Sequence, residues 1–213
     1  NKDEIAESVA ALEARGIKAV GAVADMADGD SVRAWVAEIA EQLGGVDCFV
    51  NNVSALGTTT DRDAWVRSVN IDLLGLAAAC EAVLPHLVTS KGSMVMINTN
   101  GSVQVFAKTT PYPVVKAGAL AYMKYLSYEY AHTGVRINAV SPGSIFFEGG
   151  VWDRRRVNEP ERYQRMLDLN PMGRFGKPEE VANAVLFLSS AAASFISGTN
   201  LVVDGTATVR IQN

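Results

Sequence analysis

A tyrosine and a lysine four residues apart, in the stretch "YPVVK" at 112 to 116, are the pair in this chain best suited to proton chemistry. On a helix that spacing puts Tyr112 and Lys116 on one face, one turn apart. A cation beside a phenol favours the phenolate, which fits a tyrosine to act as acid or base. Taken alone, most pairs at this spacing are merely a half-buried ring and a solvated amine, so the surrounding elements must decide. With Thr110 as N-cap, Pro111 and Pro113 fall at N1 and N3, where a helix has no use for its N–H groups. Thr110 is then placed to cap the N–H of Tyr112. Other reactive types are sparse. His86 and His132 follow or end helical stretches, and no Cys/His/Asp cluster has ligand spacing, so no metal site is expected. Cys48 and Cys80 sit in apolar runs, "VDCFV" and "LAAACEAVL", and read as buried thiols of a reducing compartment.

The elements that must position this pair alternate between helix and strand. Helical patterns cover about 3–15, 31–43, 61–84, where Pro85 disturbs the end, 111–131, 160–169, and a stretch beginning at Pro178. Short apolar runs lie between them: "KAVGAVA" (18–24), "VDCFV" (46–50), "SMVMIN" (93–98), "VRINAV" (135–140) and "NLVV" (200–203). Residues 144–158 read as irregular. Strands this short and apolar are expected to be buried on both faces, in a parallel sheet covered by helices on both sides. Ligands of such sheets bind beyond the C-terminal strand ends, here "ADM" (24–26), "NNVS" (51–54), "NTNGS" (98–102) and "SPGSIFF" (141–147).

The bulk numbers are those of one sizeable globular core: 213 residues, 48% hydrophobic, 20% charged, net charge −4. This balance gives no reason to expect nucleic acid as a partner, and Arg154, Arg155 and Arg156 read as a solvated loop. No apolar stretch reaches the length of a membrane span and no signal peptide is visible, so a cytoplasmic protein without a membrane partner is expected. The chain begins without Met, already inside an amphipathic helix, an oddity that reads as loss of an upstream segment.

Together the strand ends and "YPVVK" resemble the short-chain dehydrogenase/reductase family. "NNVS" stands where the family has Asn-Asn-Ala-Gly, "YPVVK" is its Tyr-x-x-x-Lys, and "RINAVSPG" is close to its sixth strand and Pro-Gly turn. "GRFGKPEEVANAVLFLSS" and "FISGTNLVVDGT" resemble its closing helix and last strand. The resemblance implies a Rossmann-like, doubly wound α/β/α domain over 1–213 whose first two strands are missing, with a substrate lid at about 144–170. It implies NAD or NADP as cofactor, a small alcohol or ketone as substrate, and a homodimer or homotetramer. Tyr112 would exchange a proton with the substrate oxygen, and Lys116 would lower the tyrosine pKa and hold the nicotinamide ribose. Asp25 and Met26 would lie along the adenine, Asn51, Asn52 and Val53 would line the cofactor, and Pro142, Gly143 and Ile145 would border the nicotinamide.

Four departures accompany the resemblance. The family's glycine-rich phosphate loop, and the residue that selects NAD or NADP, are not among these residues. Thr99 stands where the family has its catalytic serine, with Ser102 the nearest serine. Asp72, which the resemblance counts as catalytic with Tyr112, Lys116 and Thr99, stands where it has a helix asparagine, and Phe147 where it often has threonine. Phe146, Phe147 and Trp152 make the lid aromatic, suited either to an apolar or bulky substrate or to packing on a neighbouring helix. The expected function is interconversion of a secondary alcohol and a ketone. The competing readings are a relative that has lost turnover and serves as a binding or scaffold protein, and an interaction module built on the helix carrying Tyr122, Tyr125 and Tyr128.

Overall fold

The computed structural model describes residues 1–105 and 109–211. Among them the sheet has four parallel strands, β1 (Cys48–Asn51), β2 (Ser93–Ile97), β3 (Arg136–Pro142) and β4 (Asn200–Val203), in that spatial order. Parallel neighbours need crossovers, and helices supply each one. α1 (Lys2–Glu13) and α2 (Gly29–Leu43) precede β1. α3 (Arg62–Val69), a π-helical turn (Asn70–Gly75) and α4 (Leu76–Ser90) run on from one another between β1 and β2. α5 (Pro111–Tyr130) joins β2 to β3. α6 (Val151–Asn158), α7 (Pro160–Asp168) and α8 (Pro178–Ser189) lie between β3 and β4.

The period-2 geometry of a strand assigns the two faces. Met94 and Met96 of β2, with Ile137 and Ala139 of β3, pack against Leu76, Val83 and Leu87 of α4 and Met123 of α5. Val95 and Val140 point the other way, to Leu188 of α8. Arg136, at the start of β3, fixes that second layer. Its guanidinium donates to the carbonyls of Leu188, Ser189, Ser190 and Ala193, the unsatisfied end of α8 and the turn after it.

The sheet is the expected one, with differences at its margins. β1 is an edge strand with one face open: Val50 is 41% exposed and Cys48 is exposed, against the expectation of strands and thiols buried throughout. Cys80 is buried against Met94. Residues 18–24 form no ladder among the described residues, because β1 pairs only with β2. Pro85 does not end its helix. It faces solvent, so the carbonyl its ring leaves without a donor can be hydrated, and α4 continues to Ser90. Residues 151–158, expected irregular, are helical. The continuous helical run Arg62–Ser90 is also long and apolar enough to cross a membrane by length and composition, with mean hydropathy 1.6 in its most apolar window. Half of that window is buried here, as the central helix of one layer.

Candidate active site

Two close approaches set where the site forms. Gly75 closes the π-helical turn against the backbone of Met26, and a Cβ there would run into the Met26 carbonyl oxygen. The wider π turn rotates the helix so that Asp72 points inward, where it is 2% exposed. Gly57, the lone glycine between β1 and α3, passes so close to Ser68 that a Cβ would meet Ser68 Oγ. Its carbonyl accepts the N–H of Tyr112 at 3.2 Å. Thr110 is therefore the N-cap residue by position only. Its side chain makes no capping bond, because the donor it was expected to satisfy is already taken by Gly57.

Tyr112 and Lys116 lie one turn apart on α5, as their spacing requires. Lys116 is 4% exposed. Its Nζ donates to the carbonyls of Val53 at 3.1 Å and Ile97 at 3.3 Å. It also stands 3.3 Å from Asp72 Oδ1, as an ion pair off the line of a hydrogen bond. The other carboxylate oxygen, Oδ2, accepts the Ala55 N–H at 3.0 Å. Burial holds the Lys116 pKa below its ordinary value, and Asp72 opposes that shift. The Tyr112 pKa is raised, the reverse of the expectation. Burial disfavours the phenolate, the Thr99 hydroxyl partly compensates, and the Asp72 charge pushes it higher. The lysine does not depress the phenol here because its charge is turned inward, onto Asp72 and two carbonyls.

Thr99 ends β2's run at the C-terminal edge of the sheet. Its Oγ1 accepts the Gly101 N–H at 3.2 Å and faces Tyr112. Ser102 Oγ instead donates to the Thr99 carbonyl at 2.7 Å. Asn51 is buried at the end of β1, while Asn52 and Val53 are exposed. Gly143 donates to the Val203 carbonyl, and Ile145 bridges to Gly176, so Pro142, Gly143 and Ile145 leave the same sheet edge. Asp25 is exposed and heads a turn, accepting the Ala27 N–H at 2.9 Å, and Met26 packs beside Val32 and Ala78. Beside this edge a cleft of about 480 Å³ is lined by Ile145, Asn170, Arg174, Glu180, Asp204 and others, with Tyr112 outside it. Trp152 stacks on Phe175 with ring centroids 5.0 Å apart, and Arg156 lies over Phe146, whereas Phe147 is 52% exposed. The aromatic segment thus divides, Trp152 into packing and Phe147 toward solvent.

Sequence reasoning missed Gly57, Ala55 and the Val53 carbonyl, which act through the backbone. Only the lone glycine signals such a role. The donor set matches the nicotinamide and ribose end of a dinucleotide, since Tyr112, Thr99 and the ends of β1 and β3 meet at one edge. Lys116 could reach a ribose hydroxyl only by exchanging one of its three inward partners.

Known proteins resemble this chain over most of its length. The family profile described as enoyl-(acyl carrier protein) reductase matches residues 1–208. Isoepoxydon dehydrogenase patN of Penicillium expansum is 34% identical over 195 residues, which cover 91% of this chain and 75% of that protein. The 3beta-hydroxysteroid dehydrogenase 1 of Eggerthella lenta is 33% identical over 205 residues, 93% of this chain and 77% of that one. The crystal structure of gox2181 superposes with a TM-score of 0.86 at 32% identity, covering 96% of this chain and 82% of that chain. With its parallel sheet, its Tyr-x-x-x-Lys helix and these relatives, the chain belongs to the short-chain dehydrogenase/reductase family and is an oxidoreductase that works with a nicotinamide cofactor.

Proposed function

We propose that this chain interconverts a secondary alcohol and a ketone, with Tyr112 carrying the proton at the substrate oxygen. One observation carries the reading: the Tyr112 phenol and the Thr99 hydroxyl meet at the C-terminal edge of the sheet, with the Lys116–Asp72 pair buried behind them. A nicotinamide bound at that edge supplies or takes the hydride at the substrate carbon. In the alcohol direction the Tyr112 phenolate accepts the hydroxyl proton, and in the ketone direction the phenol returns it. Thr99 Oγ1 accepts from Gly101, and its own proton, which faces the Tyr112 oxygen, is placed to be donated to a substrate oxygen bound between them. Asn51, Asn52, Val53, Pro142, Gly143 and Ile145 would border the ring and ribose, with Asp25 and Met26 toward the adenine.

Phe146 and Phe147 give the substrate side an aromatic rim that suits an apolar or bulky substrate. One relative is named for a hydroxysteroid, which is a substrate of that kind. Tyr125 and Tyr128, 77% and 88% exposed on α5, support a homodimer or homotetramer. The test follows reduction of NAD and of NADP with apolar secondary alcohols beside primary ones, and oxidation of NADH and NADPH with the matching ketones. Turnover confined to the secondary series, rising with ring bulk, is expected. No turnover with any secondary alcohol or ketone overturns the proposal.

A further inference from the structure

We infer that Asp204 is a positioning residue: its carboxylate holds Asn100, and through Asn100 it places the Thr99 hydroxyl beside Tyr112. The inference deepens the proposed function and rests on its reading of Thr99 as the hydroxyl that meets the substrate oxygen.

The turn that carries Thr99 is the first observation. Residues 99–102 are bonded to one another. Thr99 Oγ1 accepts the Gly101 N–H, and the Thr99 carbonyl accepts both the N–H and the hydroxyl of Ser102. A turn closed on itself in this way shifts as one piece, so its place depends on what grips it from outside. At its root the Asn98 side chain joins the Thr99 N–H to the Lys116 carbonyl. Beyond the root, Asn100 and Gln104 both reach the segment 204–209. Asn100 Nδ2 donates to Asp204 Oδ2 at 3.0 Å. Gln104 Nε2 donates to the Ala207 carbonyl at 3.4 Å, and Gln104 Oε1 accepts the Val209 N–H at 2.8 Å.

The anchor is the second observation. Asp204 directly follows β4, and its Oδ2 also accepts the N–H of Thr208 at 2.8 Å and the Thr208 hydroxyl at 2.6 Å. None of the ion pairs among the described residues involves Asp204, so neutral donors hold its charge. Hydrogen bonds to an ionised acceptor are the strong ones, which makes the Asn100 tie firmer than an amide pair. Asp204 itself has no room to drift. A Cβ on Gly143 would come within 2.6 Å of Asp204 Cβ, so the Pro142-Gly143 turn lies flat against it. The Asp204 carbonyl accepts from Asn170 Nδ2 at 3.1 Å, and Asn170 is 7% exposed. The grip on Thr208 also bends Thr206 to φ 69°, a left-handed conformation that a β-branched residue keeps only where its neighbours over-determine it. Asp204 therefore acts on the reaction through Asn100 and the turn, from an anchor fixed on three sides.

The experiment exchanges the two partners. Asn100→Asp sets two carboxylates against each other. Adding Asp204→Asn restores one amide and one carboxylate with their roles reversed, and the new amide oxygen still accepts from Thr208. Steady-state rates are measured with the nicotinamide cofactor and the secondary alcohol that the parent turns over fastest. The kcat/KM of Asn100→Asp is expected to fall at least about 10-fold, and that of the double variant to return to within about two-fold of the parent. Asn100→Ala cuts the tie from the other side and leaves Asp204 on Thr208, so it decides the matter even where Asn100→Asp does not fold. It is expected to lower kcat/KM in the parent, to leave the KM for cofactor unchanged, and to cost little more in a Thr99→Ala background, since a hydroxyl already removed cannot be misplaced. A folded exchange variant that recovers nothing overturns the inference. So does an Asn100→Ala loss that is as large without the Thr99 hydroxyl as with it, which is the mark of a merely structural role. A crippled Thr99→Ala beside an unimpaired Asn100→Ala overturns the positioning role alone. Thr99→Ala at full activity overturns the reading of Thr99 on which it rests.

Discussion

Two regions meet at the C-terminal edge of the sheet, and they are built on opposite plans. The first turn of α5 is sunk into the molecule: Lys116 is 4% exposed, its partner Asp72 2%, and both of these charges also bond to backbone. The segment 144–170 is laid over the surface. Neither α6 nor α7 has a fully buried residue among those described, and its charges pair locally, Arg156 with Asp153 and Arg162 with Glu159. The buried plan suits proton transfer, which requires fixed geometry and a pKa set by surroundings. The surface plan suits selection among substrates, because its residues can change without disturbing the core. Substitutions should therefore separate into changes of turnover and changes of preference.

The largest effect belongs to Tyr112→Phe, which keeps the ring's packing and removes the proposed proton carrier. Loss of kcat by roughly two to four decades is expected in steady-state assays, with far-UV circular dichroism unchanged. Next is Thr99→Ala. A hydrogen bond to a charged group is worth about 1.5–3 kcal/mol, so kcat/KM should fall about 10- to 150-fold. Thr99→Ser should stay within a few-fold of the parent. Ser102→Ala should do the same, because Ser102 Oγ is committed to the Thr99 carbonyl. The reverse order would hand the role to Ser102.

Trp152→Ala tests the surface plan. An aromatic pair contributes about 0.5–1.5 kcal/mol, here to the seating of the segment on Phe175, so KM for bulky substrates should rise by at most about 12-fold with kcat nearly constant. A change in kcat alone would blur the division between the two regions. The smallest effect concerns Glu180, whose carboxyl is pushed down to about 2 by Arg174 and by the Lys177 N–H. A folded pKa below the ordinary 4.5 gives stability that is present above about 4.5 and fades as pH falls toward 2. Both groups are exposed, so the contribution is small. Arg174→Met should flatten the pH dependence of Tm across that window.

The buried plan was largely legible from residue spacing. Tyr112 and Lys116 had to share a face, the prolines marked the helix start, and "SMVMIN" and "VRINAV" had the apolar density of central strands. What spacing conceals is backbone work. The partner of the Tyr112 N–H is a carbonyl 55 residues earlier, and any residue type has a carbonyl. The π turn at 70–75 follows from a tertiary approach to Met26, which local propensity does not encode. The helix at 151–158 was hidden by the Gly149-Gly150 pair before it and by poor apolar periodicity, since it packs on little. Cys48 looked buried because its run is apolar, but an edge strand shows one face to solvent.

The four-carbonyl grip of Arg136 bears on timing. It ties the end of α8 to β3, and Asn138 extends the tie by donating to the Ile196 carbonyl and accepting the Thr199 N–H. The chain from Leu188 to Thr199 is thereby moored to the neighbouring strand just before β4 begins. In amide exchange with deuterium, the last turn of α8 and all of β4 should open as one cooperative unit. Cutting the mooring with Arg136→Met should let that unit exchange early while β2 keeps its protons.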